Sequence, residues 1–468
     1  LDSVCSGRPD ASTGGHARDA GAADAGAPSE AGDAALKDGS AGAHDGTTEG
    51  EGSSGDGGPM NADAADGEAD VAMCPSIAPL GDIADAAGVF AFSPSNVTLD
   101  TILHYAAMAQ DEVISSPISV NTAVPQPFGT DGFSSPVVGL TPMDADSGVT
   151  SPLDLVVVKS LTIHSAITVT GSVPLVIVSL SDVVFCGGSL VANSTLNHFG
   201  PGGGPGGSSQ AAPAVGDGAG PEASSASPAG AGGGSYCGIG GAGGGATATG
   251  STYGSADIRP LMGGSGGGVG GNLGGAGGGA VQIVAAGAIL LEADSFVSVS
   301  GGGGLRGGSA CYQDPGGGGS GGAILVEAPT VTIYGALVAN GGGGGGASAG
   351  EDGWYGSSSS SPATRAPGGI SLSSGETSPP NITDIAEPNS AGGAGGAGTT
   401  PNGAPGATGA ASCTNSSSDS NSGAGGGGAG RIRINSGMLM KTGAMISPVL
   451  IDGGCATTGP LLGSGAGP

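Results

Sequence analysis

Residues 317–346 read GGGSGGAILVEAPTVTIYGALVANGGGGGG, a β-branched, alternating segment between two walls of glycine. This juxtaposition limits what the chain can fold into. The walls lack side chains to bury, and ordering glycine costs about 0.5–1 kcal/mol more than ordering alanine. A hydrophobic core can draw only on the short segments between the walls. Each of those is too small to bury its own inner face.

Similar segments recur. Residues 153–194 are dense in Val, Ile, Leu and Thr, broken every few residues by Ser, Gly or Pro. Residues 280–301, 323–341 and 430–454 follow the same plan of short alternating strands joined by small-residue corners. Units of this size become stable by stacking on copies of themselves. The expected fold is all-β: a parallel β-helix solenoid with long glycine-rich insertions between coils. An antiparallel β-sandwich with glycine loops is the rival. Stacked equivalents place Val281, Ile283, Ile324, Val326, Ile432 and Ile434 in one core. The insertions are expected at 194–279, 301–322 and 341–429, leaving one corner of the coils. They are either mobile loops or extended glycine strands bonded to each other through their backbones, with order expected near the coils and mobility at the tips. Without a strict Gly-X-Y period, a collagen triple helix is not expected.

Two regions precede residue 153. The first 70 residues carry 15 acidic and 3 basic residues in Asp-Ala-Gly variants. Too little apolar surface exists there to offset chain entropy, so 1–73 is expected to be a disordered acidic tether. Residues 74–152 are expected to form a cap with weak strands and one short helix over 98–109. The net charge of −29 offers nucleic acid no basic footprint and disfavours anionic membrane surfaces. No apolar run approaches the roughly 20 residues of a membrane-spanning helix.

Chemistry is sparse. The seven cysteines show no Cys-x-x-Cys spacing. Cys74, Cys186, Cys237, Cys311, Cys413 and Cys455 suit three disulfides of an exported protein. Insertions that leave neighbouring coils predict Cys237 with Cys311, Cys413 with Cys455, and Cys74 with Cys186. Cys5 is a lipidation candidate, although Val4 and Asp2 suit a lipoprotein signal poorly. No catalytic residue, cofactor or metal site is expected. The five histidines are dispersed, and His164 is expected to face outward. The coil carboxylates Asp154, Asp182, Glu292, Asp294, Glu327 and Asp452 lack matching offsets. Arg431 and Arg433 alternate with Ile432 and Ile434 and read as outward-facing solubility devices. Tyr236, Tyr312, Trp354 and Tyr355 flank or neighbour loop cysteines, where they either stack on sugars or anchor glycine loops.

The stretches GGAGGGAVQIVA (274–285), 316–346 and GAGGGGAGRIRIN (423–435), with the Asp-Ala-Gly segment after an early cysteine, carry a resemblance. The chain resembles the uncharacterised glycine-rich exported proteins, many classed as lipoproteins, of myxobacteria and related bacteria. The resemblance implies export and a surface location, and implies no activity. The functional expectation is an exported structural or adhesive protein of the cell envelope. Its expected partner is extracellular polysaccharide or an envelope surface. A polysaccharide-active β-helix enzyme and an ice- or surface-binding protein are the alternatives.

Overall fold

The structure is a computed structural model that describes residues 90–123, 133–141, 151–194, 198–209, 212–223, 230–246, 248–307, 314–347, 364–369, 391–408 and 422–463. The chain divides into Leu1–Val71, which lies outside the described residues together with the expected tether, and Ala72–Pro468.

The short helix is α1 (Leu99–Ala106), capped by Thr98, whose side chain accepts from the Thr101 N–H. Then come β1 (Asp111–Ile114), β2 (Ile118–Asn121), β3 (Val137–Leu140), β4 (Leu153–Val158), β5 (Ser160–Ile163) and β6 (Ala166–Thr170). Next are β7 (Leu175–Ser179), β8 (Val183–Phe185), β9 (Ser189–Val191), β10 (Ala280–Ala285), β11 (Ala288–Leu291) and β12 (Phe296–Ser298). Last are β13 (Ala323–Ile333), β14 (Ala336–Val338), β15 (Arg431–Lys441), β16 (Met445–Ser447) and β17 (Ala456–Gly459).

These strands correct the expected all-β parallel β-helix. They gather into two sheets, an eleven-stranded mixed one and a six-stranded one, and the chain also carries a helix. In the larger sheet β4, β7, β10, β13, β15 and β17 lie side by side in parallel, while β3 runs antiparallel to β4. The smaller sheet is β2, β6, β9, β12, β14 and β16, parallel throughout. β1, β5, β8 and β11 join the second halves of β13 and β15 in the larger sheet. Pro329 and Gly437 fall opposite each other, between the pairs Ala328↔Ser436 and Thr330↔Met438. Pairing resumes beyond this gap within each eleven-residue strand, but the inward set changes phase there, from Ile324, Val326 and Ala328 to Val331 and Ile333, so β13 turns at Pro329 without ending.

At residue level the stacking is in register. Val281 pairs with Ile324 and Ile324 with Ile432; Ile283, Val326 and Ile434 follow two residues on. All six belong to one buried cluster with Leu161, Ile177, Phe185, Leu291 and Ile333. Burial of each such side chain is worth about 1.5–3 kcal/mol. A second cluster lies on the other face of β4, β7 and β10, where Phe90, Phe92, Val97 and Ile102 cover Leu155, Val157, Val176 and Val178.

The described glycine tracts form a packed body of their own. In residues 423–430 the N–H groups of Gly423, Gly426 and Ala429 donate to the carbonyls of Ala407, Ala404 and Pro401. Those of Ala424, Gly427 and Gly430 donate to Gly345, Gly342 and Ala339, and those of Gly425 and Gly428 to Ala231 and Gly234. The same tract accepts from Gly318 and Gly321, from Gly393 and Gly396, and from Gly238, Gly241 and Gly244. All these bonds are 2.7–3.0 Å long. A donor direction that repeats every third residue is that of a threefold extended helix. Here each turn meets six neighbouring segments.

Six neighbours leave most positions of the turn without room for a side chain, and in 423–430 only Ala424 and Ala429 carry one. A Cβ at Gly319 would overlap the Ala276 carbonyl oxygen, and one at Gly427 the Gly319 oxygen. This accounts for the missing Gly-X-Y period. Collagen crowds one residue in three, whereas this lattice crowds nearly all. The lattice runs directly into the sheet: the N–H groups of Ala323 and Arg431 bond to the carbonyls of Gly279 and Gly322.

The lattice also rearranges the expected disulfides. Cys237 is bonded to Cys455, which corrects both Cys237 with Cys311 and Cys413 with Cys455. Six-neighbour packing places the tract around Cys237 directly against 423–430, which feeds β15, and β15 pairs with β17 at Ala456. Coil order alone had placed it against the next insertion. Cys186 is disulfide-bonded as well. The expected pairing of Cys186 with Cys74 falls outside the described residues, as do Cys5, Cys311 and Cys413.

The lattice makes a prediction. Gly319→Ala should lower the unfolding free energy by at least about 2 kcal/mol, because backbone rather than a yielding side chain blocks the added methyl. Gly463→Ala, where an added Cβ meets nothing within 4 Å, should shift it by under about 0.5 kcal/mol. Urea denaturation of both variants under non-reducing conditions checks the contrast.

Candidate functional site

Two features could meet a partner: a flat strand face and a cleft where the lattice joins the sheet. The face follows from strand alternation. Leu161, Ile163, Val183, Phe185, Ile289, Leu291, Val331 and Ile333 point into the core. The residues between them point away. Val113, Thr162, Val184, Leu290, Thr332 and Met440 are therefore aligned across β1, β5, β8, β11, β13 and β15. None belongs to either buried cluster, although Val184 and Thr332 are still buried, and Val113 and Met440 at the ends are the exposed members. At about 4.8 Å per rung the row is roughly 24 Å long, uncharged and regular.

The cleft holds about 290 Å³. Pro152 and Pro174, Gly202–Gly204, Val215–Asp217, Tyr253 and Leu261–Gly264 contribute to its walls. Tyr253 is fixed there. Its hydroxyl donates to the Gly263 carbonyl at 2.6 Å and accepts from Ser265 Oγ at 3.0 Å. Its ring packs on Tyr236, with centroids 4.5 Å apart and planes 30° apart. Burial raises the pKa of both phenols, so they stay protonated.

Tyr236 is 1% exposed and donates to the Met262 carbonyl, which removes it from the candidate sugar-stacking surface. It anchors the lattice instead. Arg431 lies over its ring, 5.6 Å from the centroid, and donates to the Tyr253 and Gly254 carbonyls. Arg433 donates to Asn435 and Thr457 and pairs with Asp257 at 3.4 Å. Both arginines are thus clamps, not solubility devices. Tyr312, Trp354 and Tyr355 lie outside the described residues. His164 is exposed.

Tyr253 was the residue missed by reading the sequence. Its signal was weak: an aromatic in a polar, glycine-bearing stretch without a neighbouring cysteine.

The coil carboxylates scatter. Asp182 Oδ1 accepts the Ala288 N–H at 2.6 Å and so fastens a corner. Glu327 is fully buried, and each carboxylate oxygen takes two donors. Oε1 accepts from Ser95 Oγ and Asn435 Nδ2; Oε2 accepts from the Ser95 N–H and Gln282 Nε2. This satisfied acid ties the segment before α1 to β10, β13 and β15. Asp154 is 3% exposed and its Oδ2 has no hydrogen-bond partner. Its register neighbours are Gly139 and the core residue Leu175, so it sits at the margin of the main core. Burial pushes its pKa up to about 7.

Among the described residues no group of three or more His, Cys, Asp or Glu is placed to hold a metal ion. No described helix is long and apolar enough to cross a membrane. No family model matches the chain, and neither a curated protein nor a solved structure matches it.

Asp154 sets a pH dependence. Its carboxyl titrates near 3.8 when unfolded and near 7 when folded. Below the lower value its burial carries no ionisation cost. The cost grows as pH rises from the lower value to the higher one and is complete above it. Discounted for nearby solvent, stability should fall by roughly 1–3 kcal/mol between pH 4 and pH 8 from this group. Asp154→Asn should flatten that slope and raise the melting temperature at pH 8, as thermal denaturation across the pH series will show.

Proposed function

We propose that this chain is an exported structural or adhesive protein of the cell envelope that holds extracellular polysaccharide or another envelope surface. The glycine lattice carries the reading. It is a large body whose cohesion is backbone hydrogen bonding, joined to a stack of strands that presents a long uncharged row. Such a body suits holding a shape and offering a surface. Disulfides at Cys186 and Cys237–Cys455 fit an oxidising location outside the cytosol. The charge of −29 keeps copies apart in solution and leaves uncharged patches as the places for contact.

A glycan array and insoluble-polysaccharide pull-downs, run on the purified chain with and without calcium, test the proposal. The expected result is retention on at least one polysaccharide that does not depend on calcium. Failure to be retained on any glycan or envelope preparation, in either condition, would count against the adhesive reading.

A further inference from the structure

We propose that the cleft beside Tyr253 binds a single neutral pyranose unit. The inference rests on the adhesive reading and names the chemical class that the site takes. At about 290 Å³ the cleft lies at the lower limit for ligand pockets, room for one ring rather than for an extended chain.

Its walls divide by chemistry. Tyr253 has both hydrogen-bonding capacities of its hydroxyl engaged by Gly263 and Ser265, so it offers ring surface and no free polar group. The packing of Tyr236 against it fixes its orientation. Pro152 and Pro174 add rigid surface without N–H donors. Pyranose rings present C–H faces that pack on aromatic and proline surfaces, while their hydroxyls project at the edge. Gly202 packs directly on the proline surface: it has φ +74°, and a Cβ there would meet the Pro174 ring at 2.7 Å.

Besides Tyr253, Ser151, Ser172 and Asp217 are the polar side chains that line the cleft, and Asp217 is exposed and the one charged residue among them. A carboxylate accepts two hydrogen bonds, which suits neighbouring hydroxyls on one ring. Its charge, within a chain of −29, repels uronic acids and sulfated sugars. A neutral sugar satisfies both the apolar floor and the acidic rim.

Saturation-transfer NMR and calorimetry on the full disulfide-bonded chain test this. The probes are the methyl glycosides of glucose, galactose and mannose, with methyl glucuronoside as the charged comparison. At least one neutral glycoside should bind, with a dissociation constant of roughly millimolar order, and the glucuronoside at least tenfold more weakly. Asp217→Ala, at an exposed position, should weaken the neutral glycoside at least tenfold. Ser172→Trp, at the exposed mouth, should abolish its binding. Circular dichroism should be unchanged in both variants. The assignment is overturned if no neutral glycoside binds up to about 10 mM, or if binding is unaltered in both variants. Wild-type retention on insoluble polysaccharide, measured in parallel, separates failure of the cleft from failure of the adhesive reading.

Discussion

The rest of the molecule depends on how closely two backbones approach when no Cβ stands between them. In residues 423–430 every successive N–H finds a carbonyl on a different neighbour. Each such bond contributes a net of about 0.5–1.5 kcal/mol, whereas fixing a residue's backbone costs about 1–2 kcal/mol. Hydrogen bonds alone therefore leave the lattice near balance. Close approach adds a second contribution. Where a Cβ would overlap a carbonyl oxygen, glycine instead points a Cα–H at it, a weak contact worth about 0.5–1 kcal/mol. A substitution removes the hydrogen bond and the weak contact together.

The sheets supply what the lattice lacks. The described tracts are anchored where they pass into β10, β13 and β15, and there the ladder continues from glycine to Val, Ile and Leu without a break. Tyr236, Tyr253 and Arg431 fill the junction, and Glu327 holds the segment before α1 against the same strands. Glu327 is costly to bury, but four donors satisfy it. Asp154 shows the opposite case, an acid at the core margin with one oxygen left over. Two buried acids thus have opposite bearing on stability, decided by how many donors each meets.

Much of the strand content was legible in sequence because it rests on alternation, which is local. The in-register rows through Val281, Ile324 and Ile432 could be read from the copies alone. The overall architecture could not. Pro329 and Gly437 each signal a break, and only their alignment across neighbouring strands lets the pairing resume beyond it while the inward residues change phase. The helix followed from a local cap at Thr98. The disulfide did not, because Cys237 and Cys455 are 218 residues apart and meet through a packing rule that composition hides. The cleft was illegible for a similar reason: Pro152, Gly202, Asp217 and Tyr253 come from four separate segments.

One feature of the lattice bears on the order in which the molecule can be built. The tract at 423–430 comes late in chain order, yet it has neighbours on all six sides. The segments at 231–234, 238–244, 318–321 and 339–345 all await it. Without it, the donors and acceptors of these segments that face it lack those partners. A chain emerging N-terminus first can stack its early strands as they appear, but its glycine body must close in one late step. The seal on that step, Cys237 with Cys455, joins an early tract to a cysteine that emerges after the keystone.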